Sequence, residues 1–159
     1  MKKKTKFVVE PFDDIKIIGI NTGMVDFQLA WNLNKALKID LAKYKNIISE
    51  DGDEFSFYLY SAGENSNTFN LVALSNSTTK WVSFSPQTDY IFIIRNYIKD
   101  SDFQQMLKNI KNIARVNHAY VVDLGINAKI DTILEDIEFH EMGIQDEMEK
   151  NKATKINKI

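Results

Sequence analysis

The stretch from Asp89 to Asp123 constrains the fold more than any other part of this chain. "DYIFIIRNY" is apolar on both alternating faces over its middle, which predicts a strand in the interior of a sheet. Ser101 and Gln104 follow at the spacing of a capping box. Phe103, Met106, Leu107, Ile110, Ile113 and Ala114 then recur with the period of a helix. "NHAYVVDLG" reads as a second strand. Strand, helix and strand in this length make a βαβ unit, so the two strands are expected to run parallel with a right-handed crossover.

The rest of the chain supplies the other elements. "DIKIIGINTG" is a short strand ended by Asn21, Thr22 and Gly23, and a helix runs from Met24 to Lys38. Leu29, Ala30, Leu33, Ala36 and Leu37 form its core stripe, with Asn21 or Thr22 as the cap. "DEFSFYLYSAG" alternates, Phe55, Phe57 and Leu59 facing one way and Ser56, Tyr58 and Tyr60 the other. "ENSN" is a turn and "TFNLVALSN" the hairpin partner; "TTKWVSF" is a further strand, stopped at Ser85 and Pro86. "NAKIDTILEDIEF" reads as a short helix or a turn. The order is β-α-β-β-β-β-α-β. The expected fold is α+β, a two-layer sandwich: a mixed, mostly antiparallel sheet of about six strands with two main helices on one face.

With 159 residues, one domain is expected, occupying residues 11–144 between a flexible basic segment, 1–10, and a disordered lysine-rich tail, 145–159. The absence of cysteine excludes disulfides, zinc thiolates, iron–sulfur clusters and thiol nucleophiles. No apolar run has the length of a signal peptide core or a membrane span, so a cytoplasmic protein without membrane contact is expected. Charge is uneven. Leaving out residues 1–6 and 146–159 leaves 12 basic and 19 acidic residues, a net charge of −7. Such a body repels phosphate backbones, and no nucleic acid is expected on it.

Catalytic groupings fail one by one. "GINTG" lacks the glycines and lysine of a phosphate loop. His140 and Glu141 begin a zincin-like pattern whose second histidine is replaced by Ile144, so no metal is expected. His118 could join Asp89 and Asp123, but strand alternation turns Asp123 away from it. "SEDGDE" lacks the spacing of a calcium loop, and Asp131, Glu135 and Glu138 read as a wet face. No catalytic residue and no cofactor is predicted.

Phe27 and Trp31 stand apart. They lie one turn from each other, on a flank that the core stripe does not need. The plainer expectation is that "IDLAKYKNII", residues 39–48, folds back over them. Left open, they would anchor an interface with a protein partner or in a homodimer. The function read from the sequence is therefore a non-catalytic interaction or regulatory module. A small-molecule sensor is the alternative, and an enzyme using Asp26, Asp89 or His118 a third.

"GINTGMVDFQLAWNLNKALKIDL" resembles the IPExxxVDY family of small bacterial proteins, through Gly19 and Ile20, Asp26 and Phe27, Leu29 to Trp31, and Leu33 to Leu37. The naming motif falls on "VSFSPQTDY", which keeps Asp89 and Tyr90 and has Val82 for the isoleucine. Ser83, Phe84 and Thr88 stand at its proline, glutamate and valine. The resemblance implies a fold and no particular reaction.

Overall fold

A computed structural model describes residues 14–63, 66–83, 86–124 and 128–157. Its elements run β1 (Lys16–Thr22), α1 (Asp26–Leu37), β2 (Ala42–Ile48), β3 (Glu54–Ser61), β4 (Thr68–Ala73), β5 (Tyr90–Arg95), α2 (Asp100–Lys111), β6 (Val116–Val121) and α3 (Ala128–Asn157). The strands form one sheet in the order β2-β3-β4-β5-β1-β6, and every neighbouring pair is antiparallel. β5 and β6 do run parallel to each other, as the strand–helix–strand reading requires, because both pair antiparallel with β1. They are not neighbours: β1 is inserted between them, so the sheet is not mixed.

Two apolar clusters lie on opposite faces of this sheet. One joins Ile18, Ile20, Phe69, Leu71, Phe92 and Ile94 to Leu29 and Leu33 of α1 and to Phe103, Leu107 and Ile110 of α2. The other joins Ile17, Phe55, Phe57, Val72, Ile91 and Ile93 to Ile130, Ile133, Leu134, Ile137 and Ile144 of α3. The two-layer, two-helix expectation is thereby corrected to α+β in three layers. The alternation in β3 holds, with Phe55, Phe57 and Leu59 toward α3 and Tyr58 toward α1. β5, with neighbours on both sides and side chains buried on both faces, is the interior strand that its sequence predicts.

Four local expectations are also corrected. "TTKWVSF" does not pair as a strand over its described residues: only an isolated bridge, Ser75 to Lys80, forms there. Trp81 instead stacks on Phe55 at 5.1 Å and, with Val82, covers the rim of the second cluster. Residues 42–48 supply the missing strand as β2, which is bulged between Tyr44 and Ile47. The first turn of α2 has Lys99 at its N-cap with no side-chain cap bond, so Ser101 lies inside the helix. α3 runs to Asn157, through the stretch from 145 that reads as a disordered tail. Segment 1–10 lies outside the described residues.

A polar cluster fastens α3 to the sheet. Arg95 Nε donates to Asn70 Oδ1 at 3.0 Å, and its Nη1 lies 2.8 Å from Glu138 Oε1. Asn70 Nδ2 donates to Glu141 Oε1 at 2.9 Å, and that oxygen is 3.7 Å from Arg95 Nε. Asn70 is fully buried, so its amide needs these partners. Glu138 is thus a ligand of Arg95 rather than part of a wet face. At the sheet's outer edge, His140 Nε2 donates to the Lys45 carbonyl at 2.9 Å and its ring meets Phe57 edge-on. With Lys43, Lys45 and the bulge, this guards β2 against pairing with another strand.

Gly19 faces Tyr120 across the β1–β6 pair. A Cβ there would lie 2.7 Å from the tyrosine ring, whose hydroxyl is 2.6 Å from Thr88 Oγ1. Gly19→Ala must therefore push the ring off its place and break the Thr88 bond. It is expected to cost about 1–3 kcal/mol by overpacking, read as a lower urea midpoint with an unchanged slope.

Candidate interaction surface

α1 is set on the sheet by its inner side. Leu29, Ala30 and Leu33 are buried there, each of the two leucines contributing about 1.5–3 kcal/mol by leaving water. Asp26, in the first turn, points the same way. Its Oδ2 accepts from Tyr58 at 2.9 Å and from Lys43 at 3.2 Å. Tyr90 donates its hydroxyl to the Met24 carbonyl at 2.8 Å. The start of the helix departs from the expected cap. Val25 is the N-cap residue, its N–H donates to Gln28 Oε1 at 3.3 Å, and no side chain caps the helix from its own N-cap position. Thr22 braces the preceding turn instead, accepting from the Met24 N–H at 3.2 Å and donating to the Arg115 carbonyl at 2.6 Å. Asn21 spans to the Gln87 carbonyl and to Asn117.

Among the described residues, nothing covers the outer side of α1. Phe27 is 57% exposed and Trp31 61%, with Val25 exposed beside them. Lys35, one turn on, holds its ammonium 5.0 Å above the Trp31 ring. Residues 39–48 do not return across this face. The helix ends at Lys38 in the left-handed conformation, and Asn34 then pins the chain, accepting from the Leu41 N–H at 2.7 Å and donating to its carbonyl at 3.2 Å. That clamp directs the chain into β2, at the edge of the sheet. The expectation that this segment covers the aromatics is overturned.

Electrostatics at the α1 root are set by Asp26. Partial burial acts to raise its pKa, but hydrogen bonds from Ser56, Tyr58 and Lys43, with the Lys43 charge, outweigh it and hold the carboxyl below its ordinary value. Burial first, and then the Asp26 carboxylate, push the Tyr58 phenol well up. Tyr90 is pushed up to about 12 by burial and by the charges of Asp26 and Asp89. A depressed carboxyl stabilises the fold above its unfolded pKa, and this is lost as pH falls through the folded value. Asp26→Asn is therefore expected to cost about 1–2 kcal/mol at neutral pH. The difference from wild type should vanish in strong acid. Urea titrations at stepped pH check both points.

Asp89 and His118 both serve the fold. Asp89 Oδ2 accepts from the Thr22 N–H at 2.9 Å, and the Asp89 N–H donates to the Ile20 carbonyl, continuing the β1–β5 ladder. His118 stacks on Tyr120 at 5.4 Å, on the strand face that alternation assigns to it. Ile144, at the place of the absent zincin histidine, is buried in the second cluster. "SEDGDE" is the β2–β3 turn, where the Ser49 N–H donates to the Asp53 carbonyl and Gly52 takes a φ of +86°. Among the described residues no three His, Cys, Asp or Glu side chains are grouped to hold a metal.

A second exposed surface had no clear signal in the sequence. A groove of about 490 Å³ runs between β2 and α3, with Ile48 on one wall and Phe139 on the other. The exposed Phe139 and Met142 belong to the outer side of α3. They could have been found only by recognising residues 128–157 as one helix. No helix among the described residues is long and apolar enough to cross a membrane. No protein-family model and no curated protein sequence matches the chain.

Proposed function

We propose that this protein is a non-catalytic interaction module whose working surface is the outer face of α1, and that it self-associates. The observation that carries the proposal is the exposure of Phe27 and Trp31 on a helix whose inner side is already complete. Large aromatics are the usual anchors of an interface, each removing much apolar area from water with little loss of side-chain freedom. The polar candidates for catalysis, Asp26, Asp89 and His118, are on separate elements with bonds or ring contacts that serve the fold. The proposal includes a cytoplasmic setting and membership in the IPExxxVDY family, whose shared residues between Gly19 and Leu37 lie in the second half of β1 and in α1.

Trp31→Glu tests it. An exposed side chain away from caps and cores changes stability by about 0.5 kcal/mol or less, so the variant should keep its near-UV circular dichroism and melting temperature. It should also lose the proteins co-captured with wild type from native cytoplasm and any larger species in sedimentation. Unchanged capture and sedimentation would overturn the reading, and so would a variant that does not fold.

A further inference from the structure

We infer that the groove between β2 and α3 receives Trp31 of a second copy of this chain, joining copies head to tail. The inference rests on the reading of the α1 face given above and names its partner. The groove offers about 490 Å³, ample for one indole, and is lined by Asn46, Ile48, Glu50, Asp136, Phe139 and Gly143 among others. Phe139, 79% exposed, and the exposed Ile48 present apolar walls, and Gly143 leaves the helix side open, with nothing within 4 Å of where its Cβ would be. An aromatic anchor entering such a slot is the common form of an interface hot spot.

Charge agrees with the fit. Glu50 and Asp136 line the groove, and the one lysine among its described lining residues, Lys45, is already paired with Glu147 at 2.9 Å. On α1, Trp31 is followed by Lys35 and Lys38, both exposed, while Asp26 is turned inward to Tyr58 and Lys43. Opposite charges thus meet around the aromatic contact.

The two surfaces lie on opposite faces of the sheet, since α1 belongs to the first apolar cluster and α3 to the second. A copy therefore cannot fill its own groove. Each bound pair leaves one free anchor and one free groove, which makes the contact heterologous, growing into an open series or closing as a ring.

Sedimentation velocity on four samples decides the matter. Wild type should show species larger than a dimer that grow with micromolar concentration. Trp31→Glu, which keeps the groove, and Gly143→Arg, which plugs it, should each be monomeric. Mixed in equal amounts, the two variants should form a one-to-one dimer and nothing larger, because a single working pair of surfaces remains. Phe139→Arg, at a strongly exposed position, repeats the groove arm should Gly143→Arg fold poorly. Monomeric wild type, or a mixture that stays monomeric, overturns the inference. If the groove variants assemble as wild type does while Trp31→Glu dissociates, the contact lies elsewhere on the α1 face; the inference falls and the reading of that face survives. If no variant alters an observed assembly, both fall.

Discussion

Ending the chain after Leu124, which removes α3, is expected to abolish the cooperative unfolding transition. Ile130, Ile133, Leu134, Ile137 and Ile144 are all buried against the second face of the sheet. Burial of these five side chains contributes about 8–15 kcal/mol, as much as the whole net stability of an ordinary domain. Their removal also bares Phe55, Phe57, Val72, Ile91 and Ile93 on the sheet itself. The shortened chain should give a broad urea profile, bind an apolar dye and lose its near-UV signal. A sharp transition at a measurable urea concentration would show that β1–β6 with α1 and α2 are a sufficient fold, and α3 an accessory.

The second large effect belongs to Arg95. Its side chain is mostly covered, and it is bonded to Asn70 and paired with Glu138. Arg95→Ala would leave Glu138 and Glu141 facing each other beneath the helix and Asn70 Oδ1 without its donor. Breaking a buried pair from one side costs about 3–5 kcal/mol, mainly through the charge left behind. The expected result is a loss in that range by urea denaturation. Removing Glu138 in the same background should recover part of the loss, giving a coupling energy of about 1–3 kcal/mol in a double-mutant cycle. A cost below about 1 kcal/mol, typical of solvated ion pairs, would mean that α3 is held by its isoleucines alone.

The same cluster explains what could be read in the sequence and what could not. β3, β4 and β5 were legible because their apolar residues obey the period of a strand, and β5 is apolar on both faces. α1 and α2 were legible from unbroken stripes. α3 carries a comparable stripe, Ile130, Ile133, Leu134, Ile137 and Ile144, but Glu138 and Glu141 fall on or beside it. Read alone, two glutamates there suggest water. They are on the covered side because Arg95 and Asn70, far away in sequence, await them. β2 was hidden for another reason: of its seven residues only Ile47 is buried, and a bulge breaks its register, so no alternation survives. "TTKWVSF" misled because Trp81 and Val82 are apolar for the sake of covering Phe55, not of joining the ladder.

Phe27 and Trp31 were identifiable as surplus to the core stripe, but their exposure was not. It follows from the Asn34 clamp and the left-handed Lys38, which send residues 39–48 sideways. The groove was out of reach of sequence reasoning altogether, since it needs β2 and α3 both placed.

α3 has 30 residues and so rises about 45 Å, whereas strands of six to eight residues reach only about 20–27 Å. The helix must therefore outrun the sheet that supports it. Among the described residues, Ile144 is the last side chain buried beneath it and the Lys45–Glu147 pair is the last tie to β2. One axis thus carries two regimes: the first turns exist because of what they cover, whereas residues 148–151 stand exposed and rest on the backbone ladder of the helix. Propagation without tertiary cover is close to neutral for such sequences. The helicity of residues 148–151 is then a sensitive gauge of temperature and salt, free to change while the body beneath α3 stays unchanged.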